Sequence, residues 1–436
     1  MILSFRVKNF RSFAEDAVLS MRPVKAYKER PENVCKQKVV DVLKIAGVYG
    51  ANASGKSNLV KAIRTMRKIL LGSLRRSSVD DIEAEPFELD ADKRSSPTEF
   101  DMEMLIDNHV YRYGFSVTKQ AVASEWLFRS LGGQRSVERV LFIRDANVLL
   151  ESNKQSLPEL RTLGMKTLLP NSLLLPRLDQ LNNVVAKRIM RWFYDVRVLS
   201  GSYSSDYGGY SVSHFDDDGF HGKMIRILQL ADSSIEDVSV KKKEMDVREL
   251  PLHIRMNLPR NAKSVSVESQ TVLVSRRDSL GERIFFDIDE KESEGTRKMF
   301  ELSGPLTDIL NNGSILVIDE MEAKLHPLLT RRLVGLFRSP EWNPENAQLV
   351  FVTHDATLLL HAGLRRDQVW FCEKGRSCAS ELYCLSEVKA SEKARREDNL
   401  EKKYLEGRFG AVPRFADTVR RLKVESQNES KTDEED

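Results

Sequence analysis

From Ile2 to Val7 apolar and polar residues alternate, and the run breaks at Asn9. A period of two predicts a strand with one buried face. Val42 to Tyr49 is instead a short, mostly apolar run that stops at Gly50, the pattern of a strand buried on both faces. Beyond Lys56 the period changes, with Leu59, Val60, Ile63, Met66, Ile69 and Leu70 recurring at helical spacing. Strand, glycine loop and helix therefore follow one another. Residues 75–96 are polar and broken and read as a loop, whereas 99–117 alternate again and predict two strands turning at Asp107-Asn108. The leucine-rich stretch from Leu157 to Val198 has helical spacing, with Leu181, Val184, Val185, Ile189, Trp192 and Phe193 on one buried face. Residues 200–219, rich in Ser, Gly, Tyr and Asp, read as a mobile loop or linker. Strand patterns return from Val265 to Ile288, a helix follows Gly295, and Ser314–Ile318 and Leu349–Thr353 are further buried strands. Buried strands separated by helices predict an α/β fold. No internal repeat interrupts this order.

Composition narrows the class only a little. The chain has 436 residues, 41% hydrophobic and 31% charged, which suits a globular protein with a sizeable core. No apolar run approaches the roughly 18 residues of a membrane span, and Lys8 and Arg11 interrupt the start, so neither a membrane span nor a secretory signal is expected. Four cysteines without a Cys-x-x-Cys pair read as reduced thiols, which points to the cytoplasm rather than to a zinc site. The net charge is +3, but Glu425–Asp436 holds six acids and one lysine, so the body is more basic than the sum suggests. That permits a nucleic-acid surface without requiring one. Lys241-Lys242-Lys243 and Arg276-Arg277 are the candidate basic runs, and solvated charge is their simpler explanation.

The chemistry concentrates at three places. Gly50-Ala-Asn-Ala-Ser-Gly55-Lys56-Ser57 matches all eight positions of a P-loop, and it lies between a predicted strand and a predicted helix, as that motif requires. Backbone N–H groups from Gly50, Asn52, Ser54 and Gly55 would wrap phosphate oxygens at the helix N-terminus, with Asn58 just inside the helix. Lys56 would reach the β- and γ-phosphates of ATP, and Ser57 would offer its hydroxyl to Mg²⁺. The second place is Ile315-Leu-Val-Ile-Asp319-Glu320, a buried strand that ends in two acids. Asp319 suits the metal, and Glu320, one residue on, suits a general base for water. The third is Leu349-Val-Phe-Val-Thr353-His354-Asp355, where His354 suits a sensor of the γ-phosphate. Asp216/Asp218 and Asp287/Asp289 are Asp-x-Asp pairs without the second acidic site that a two-metal nuclease needs, and they read as solvated or capping acids.

Asp-Glu followed by Thr-His resembles the ABC-type ATPase heads of the SMC and RecF group, and Asn9-Phe10-Arg11-Ser12-Phe13 resembles their opening. The resemblance implies nucleotide contact by Arg11. It also implies a signature loop, for which Ser293-Glu294-Gly295 stands in the right place although it departs from Leu-Ser-Gly-Gly-Gln. A helix N-cap at Ser293 is the alternative. Gly313–Glu320, Lys324-Leu-His326-Pro327, Thr353-His354-Asp355 and Tyr404–Pro413 look like the RloA and AbiL-type ATPases of bacterial defence operons. Such heads form a head-to-tail homodimer, or a higher oligomer, with ATP between the P-loop of one copy and Ser293 and Gly295 of the other. The related OLD nucleases carry a Toprim domain in the same chain; here none is expected, and a separately encoded Toprim partner of the RloB type is implied instead.

The expected architecture is thus an α/β P-loop NTPase with an ABC-type head and a largely helical insertion. Residues 1–150 would hold the P-loop half, 151–264 the insertion, 265–390 the half with the signature-like loop, the magnesium strand and the histidine, 391–424 a C-terminal segment open to partner docking, and 425–436 an acidic disordered tail. The expected function is an ATPase switch that controls an effector in anti-phage defence. A RecF-like ATPase acting on DNA in repair is the alternative.

Overall fold

The computed structural model describes residues 1–131, 137–202, 205–215, 217, 219–245, 267–388 and 399–413. Asp216, Asp218, the tail 425–436 and the side chains of Lys242 and Lys243 lie outside the described residues. No helix among the described residues is long and apolar enough to cross a membrane.

The chain has an α/β fold with the P-loop sequence at the end of a central strand. Its central sheet has six strands in the order Val196–Ser200, Ile315–Asp319, Gln348–Val352, Ile45–Tyr49, Val369–Lys374, Ser380–Cys384. The first five are parallel and the last is antiparallel. Because successive side chains leave a strand on opposite faces, each apolar run supplies two cores. Ala46, Val48, Val317, Val350 and Val352 enter one core, while Ile45, Tyr49, Leu316, Ile318, Leu349 and Phe351 enter the other. The first core is shared with the Lys56–Gly72 helix and with a seven-stranded antiparallel sheet formed within residues 2–152. The second is covered by the helices Glu294–Asn312 and Pro327–Arg338. Burial on both faces explains why these strands read as unbroken apolar runs.

The described residues between 151 and 245 do not stand apart from this framework. The helix Val184–Asp195 buries Ile189, Trp192 and Phe193 in the first core but leaves Val184 exposed, and Leu181, which caps the preceding helix, is exposed too, so the apolar stripe is narrower than its spacing suggests. The chain then enters the central sheet at Val196–Ser200, beside Ile315–Asp319. The neighbouring helix Leu174–Gln180 is fastened to the antiparallel sheet by a fully buried ion pair. Glu125 accepts from Arg144 at 2.8 Å and from the amides of Leu174 and Leu175 at 2.7 and 3.0 Å. A buried charge pair is tolerable only when its remaining hydrogen-bonding capacity is also met, as it is here. The stretch 200–219 contains a helix, Ser205–Ser213, whose Ser211 donates to the Glu301 carbonyl and accepts from the Gly304 amide.

Tyr404–Pro413 folds back onto the central sheet. Tyr404 and Phe409 stack on Phe371 with ring centroids 5.5 and 5.7 Å away, and the Tyr383 hydroxyl donates to the Phe409 carbonyl at 2.6 Å.

Candidate functional site

Three strand ends of the central sheet, at Tyr49, Asp319 and Val352, lie side by side and deliver the three motifs to one place. Gly50 and Gly55 are the positions where the P-loop tolerates no other residue. Both have positive φ, +156° and +109°, and a Cβ would collide with the Cys372 carbonyl at the first and with Ser380 and Ser12 at the second. The loop is held from below: the Ser380 hydroxyl and the Cys372 thiol both donate to the Ser54 carbonyl, at 2.6 and 3.2 Å. Asn52 sits exposed at the tip.

Lys56 is buried, and its ammonium donates to the carbonyls of Gly50 and Ala51 at 2.6 and 2.8 Å. Burial lowers its pKa, while the carboxylates of Glu322, Asp319 and Glu320 act in the opposite sense. The same ammonium lies 3.4 Å from His354 Nδ1. Burial first, and then the charge of Lys56, push the His354 pKa down, so the neutral ring is the dominant form near pH 7. With Lys56 as donor to Nδ1, the ring proton belongs on Nε2, where it can be donated to an anion.

Ser57 donates to Asp319 Oδ1 at 3.1 Å. Burial raises the Asp319 pKa despite that bond, so its carboxylate is undercompensated. A hydroxyl and such a carboxylate side by side are oxygen donors suited to Mg²⁺. Glu320 adopts φ +50°, a left-handed conformation unusual for a side chain of its size. Ser202 donates to Glu320 Oε2, and the Gly201 amide donates to the Asp319 carbonyl at 2.6 Å.

The Gly201 bond brings the extension of the edge strand against the strand end that carries Glu320, and a Cβ at Gly201 would collide with the Glu320 carbonyl. Gly201→Ala is therefore expected to move Glu320 and lower turnover by roughly tenfold or more while nucleotide affinity is kept, because small misplacements of reacting groups are costly. Steady-state hydrolysis alongside a nucleotide titration checks this.

Arg11, at φ +49°, turns its guanidinium to Glu85 at 2.6 Å, and Asn58 donates to Ser12 at 2.8 Å. Ser12, Asn58 and Lys374 line both of two adjoining cavities. One of about 430 Å³ is lined by the P-loop, Glu320, His354 and Lys374. The other, about 990 Å³, is lined by Arg11, Ser12, Asn58, Glu85, Lys119 and Cys378. Ser293 and Gly295 line neither. Ser293 caps the Glu294–Asn312 helix, accepting from the Thr296 amide at 3.1 Å, and Gly295 lies against the Lys324 carbonyl. The structure thus brings together Gly50, Asn52, Ser54, Gly55, Lys56, Ser57, Asn58, Asp319, Glu320 and His354, with Arg11 at the margin.

The basic runs look different in the fold. Arg276 is held by Asp232 at 2.5 Å and by Glu292, and Arg277 pairs with Glu236 at 2.6 Å, so both are matched by acids within the chain. Asp287 caps a helical turn by accepting from the Asp289 amide at 2.8 Å. Gly201, Ser202 and Glu322 were not legible as site residues. The first two sit in a stretch that resembles a linker, and Glu322 carries no motif of its own.

A family model described as "AAA domain, putative AbiEii toxin, Type IV TA system" matches residues 45–157 and 172–360, more than half of the chain. The chain belongs to this AAA-domain family. The matched span of this AAA-domain protein includes the P-loop, Asp319, Glu320 and His354. No curated protein matches it. Among solved structures it is similar to the SMC head domain from Thermotoga maritima, at 10% identity and a TM-score of 0.40, covering 88% of this chain and 98% of that one. It is also similar to the Smc head domain from Pyrococcus furiosus bound to the C-terminal domain of ScpA, at 13% identity and a TM-score of 0.40, covering 88% and 96%. A third is the recombination mediator protein RecF of the RecFOR pathway, at 13% identity and a TM-score of 0.28, covering 88% and 98%.

Proposed function

We propose that this AAA-domain protein is an ATP-hydrolysing switch that controls a separate effector. The observation that carries the reading is the convergence of Lys56, Ser57, Glu320 and His354 on one cavity at the P-loop, with Asp319 hydrogen-bonded to Ser57 beside it. Lys56 would leave the Gly50 and Ala51 carbonyls for phosphate oxygens. Asp319 and Ser57 would hold Mg²⁺, which offsets negative charge on the phosphates. Glu320, steadied by Ser202, would orient water and take its proton. His354 would donate from Nε2 to the γ-phosphate.

In this reading two copies close head to tail, and Ser293 and Gly295 of one copy reach the nucleotide of the other. The exposed helix start at Ser293 is placed for that role, because the amides of a helix N-terminus favour anions, but Ser293 already accepts from the Thr296 amide and Glu294 adds a negative charge there. The AbiEii description of the family supports a place in abortive infection. A Toprim-type nuclease of the RloB kind as the effector follows from the RloA and AbiL resemblance alone. The internal pairing of Arg276 and Arg277 weakens the RecF-like alternative.

The test is capture of partners from the native host by tagged Glu320→Gln protein with Mg-ATP, followed by mass identification. A stoichiometric nuclease-like protein supports the switch. DNA without a protein partner overturns it in favour of repair, and absence of ATP hydrolysis by the wild type overturns both.

A further inference from the structure

The turn that carries Glu320 carries a second glutamate, and its geometry is more constrained than a loop between a strand and a helix requires. Residues 320–325 contain two side-chain-bearing positions at positive φ, Glu320 at +50° and Lys324 at +63°. Two short-range bonds close the turn: the Ala323 amide donates to the Glu320 carbonyl at 3.0 Å, and the Leu325 amide to the Glu322 carbonyl at 2.9 Å. Lys298, buried on the Glu294–Asn312 helix, donates to the carbonyls of Met321 and Ala323, the residues on either side of Glu322. Such strain persists only where the surroundings hold it, and it tends to mark functional positions.

What the turn holds is the Glu322 carboxylate. Its Oε1 accepts from the backbone amide of His354 at 2.6 Å, across 32 residues of sequence. Its Oε2 is buried and has no hydrogen-bond partner among the described residues, although its charge is felt at Lys56, Lys298 and His354. A buried carboxylate oxygen left unpaired, beside one spent on a strand-end amide, is costly as mere packing. Its position makes sense if the amide it holds must not move. The His354 ring meets Lys56 at 3.4 Å, and both line the phosphate cavity. One short turn therefore places Glu320 through its backbone and His354 through the Glu322 side chain.

We propose that Glu322 is a positioning residue for turnover, fixing the His354 backbone so that the ring keeps its place against Lys56 and the phosphate cavity while the same turn presents Glu320. This rests on the hydrolysis reading above. It adds a residue that acts through His354 and touches no substrate itself. Lys298 serves the same end by holding the carbonyls that flank Glu322.

The experiment is a double-mutant cycle on ATP hydrolysis with nucleotide affinity measured in parallel. Glu322→Ala is expected to lower kcat by about 10²-fold, the scale of a misplaced catalytic group, with ATP affinity within about twofold of wild type. In a His354→Ala background the same change should do nothing further, because residues that act as one unit are non-additive. Glu322→Gln keeps an acceptor for the His354 amide and should restore most of the lost rate. Losses that multiply in the double variant, or a Gln variant as poor as Ala, would overturn the proposal. Wild-type protein without hydrolysis would instead remove the reading on which it rests, so the two failures are told apart.

Discussion

Glu320→Gln binds Mg-ATP as tightly as the wild type and loses about 10²–10⁴ of its hydrolysis rate, the usual contribution of a general base. The expectation follows from local geometry. Glu320 stands at a strand end with φ +50°, a conformation that costs a large side chain about 1 kcal/mol or more. The turn holds it there, and Ser202 donates to Oε2 from the neighbouring edge strand's extension. Gln has the same shape and can keep an acceptor toward Ser202. It cannot take a proton from water. Neither Lys56 nor the Ser57–Asp319 pair depends on that proton, so affinity should survive. Trapped in the bound state, the variant should also favour the closed dimer, readable as a larger species in the presence of Mg-ATP. Phosphate release and a nucleotide titration separate the two effects. Undiminished turnover would take the base role away from Glu320.

The parts of this fold that could be read from the chain are those whose cause is local. The P-loop declares itself because Gly50, Gly55, Lys56 and Ser57 must lie within eight residues for backbone and side chains to face one phosphate chain. The central strands are legible because burial on both faces leaves Ile45–Tyr49, Ile315–Asp319 and Gln348–Val352 almost without polar residues. The hairpin at Asp107-Asn108 is legible because both residues tolerate the positive φ, +47° and +59°, that the turn imposes. Pairings between distant segments left no such mark. Val196–Ser200 continues a helical pattern in sequence, yet it becomes an edge strand because the neighbouring Ile315–Asp319 offers it a ladder. Gly201 and Ser202 follow it into the site, inside a stretch whose Ser and Gly content resembles a linker. Glu322 is one acid among several until the fold sets it beside an amide 32 residues away. The buried Lys298 likewise reads as an ordinary helix lysine, although burial lowers its pKa to about 8.

Lys56→Ala should abolish most nucleotide binding, and the structure says how the loss will look. Among the described residues no carboxylate pairs directly with the ammonium; it spends its hydrogen bonds on the Gly50 and Ala51 carbonyls and on His354 Nδ1, in a setting where burial already lowers its pKa. Desolvation therefore works against this charge until an anion arrives. A charge-assisted hydrogen bond to phosphate is worth about 1.5–3 kcal/mol, so affinity for ATP should fall by roughly 10- to 150-fold. The stability of the free protein should change far less, since the variant removes an imperfectly compensated buried charge along with two backbone contacts. Thermal unfolding with and without Mg-ATP measures both consequences at once. Wild type should gain melting temperature with ligand concentration, as any ligand that binds only the folded state requires, whereas the variant should stay near its ligand-free value over the same range. Equal shifts for the two proteins would mean that the phosphates do not lie on Lys56, and the assignment of the loop would be wrong. A variant that melts much lower without nucleotide would show that the two carbonyl contacts outweigh desolvation, and Lys56→Met, which refills the buried volume without charge, then isolates the phosphate contact.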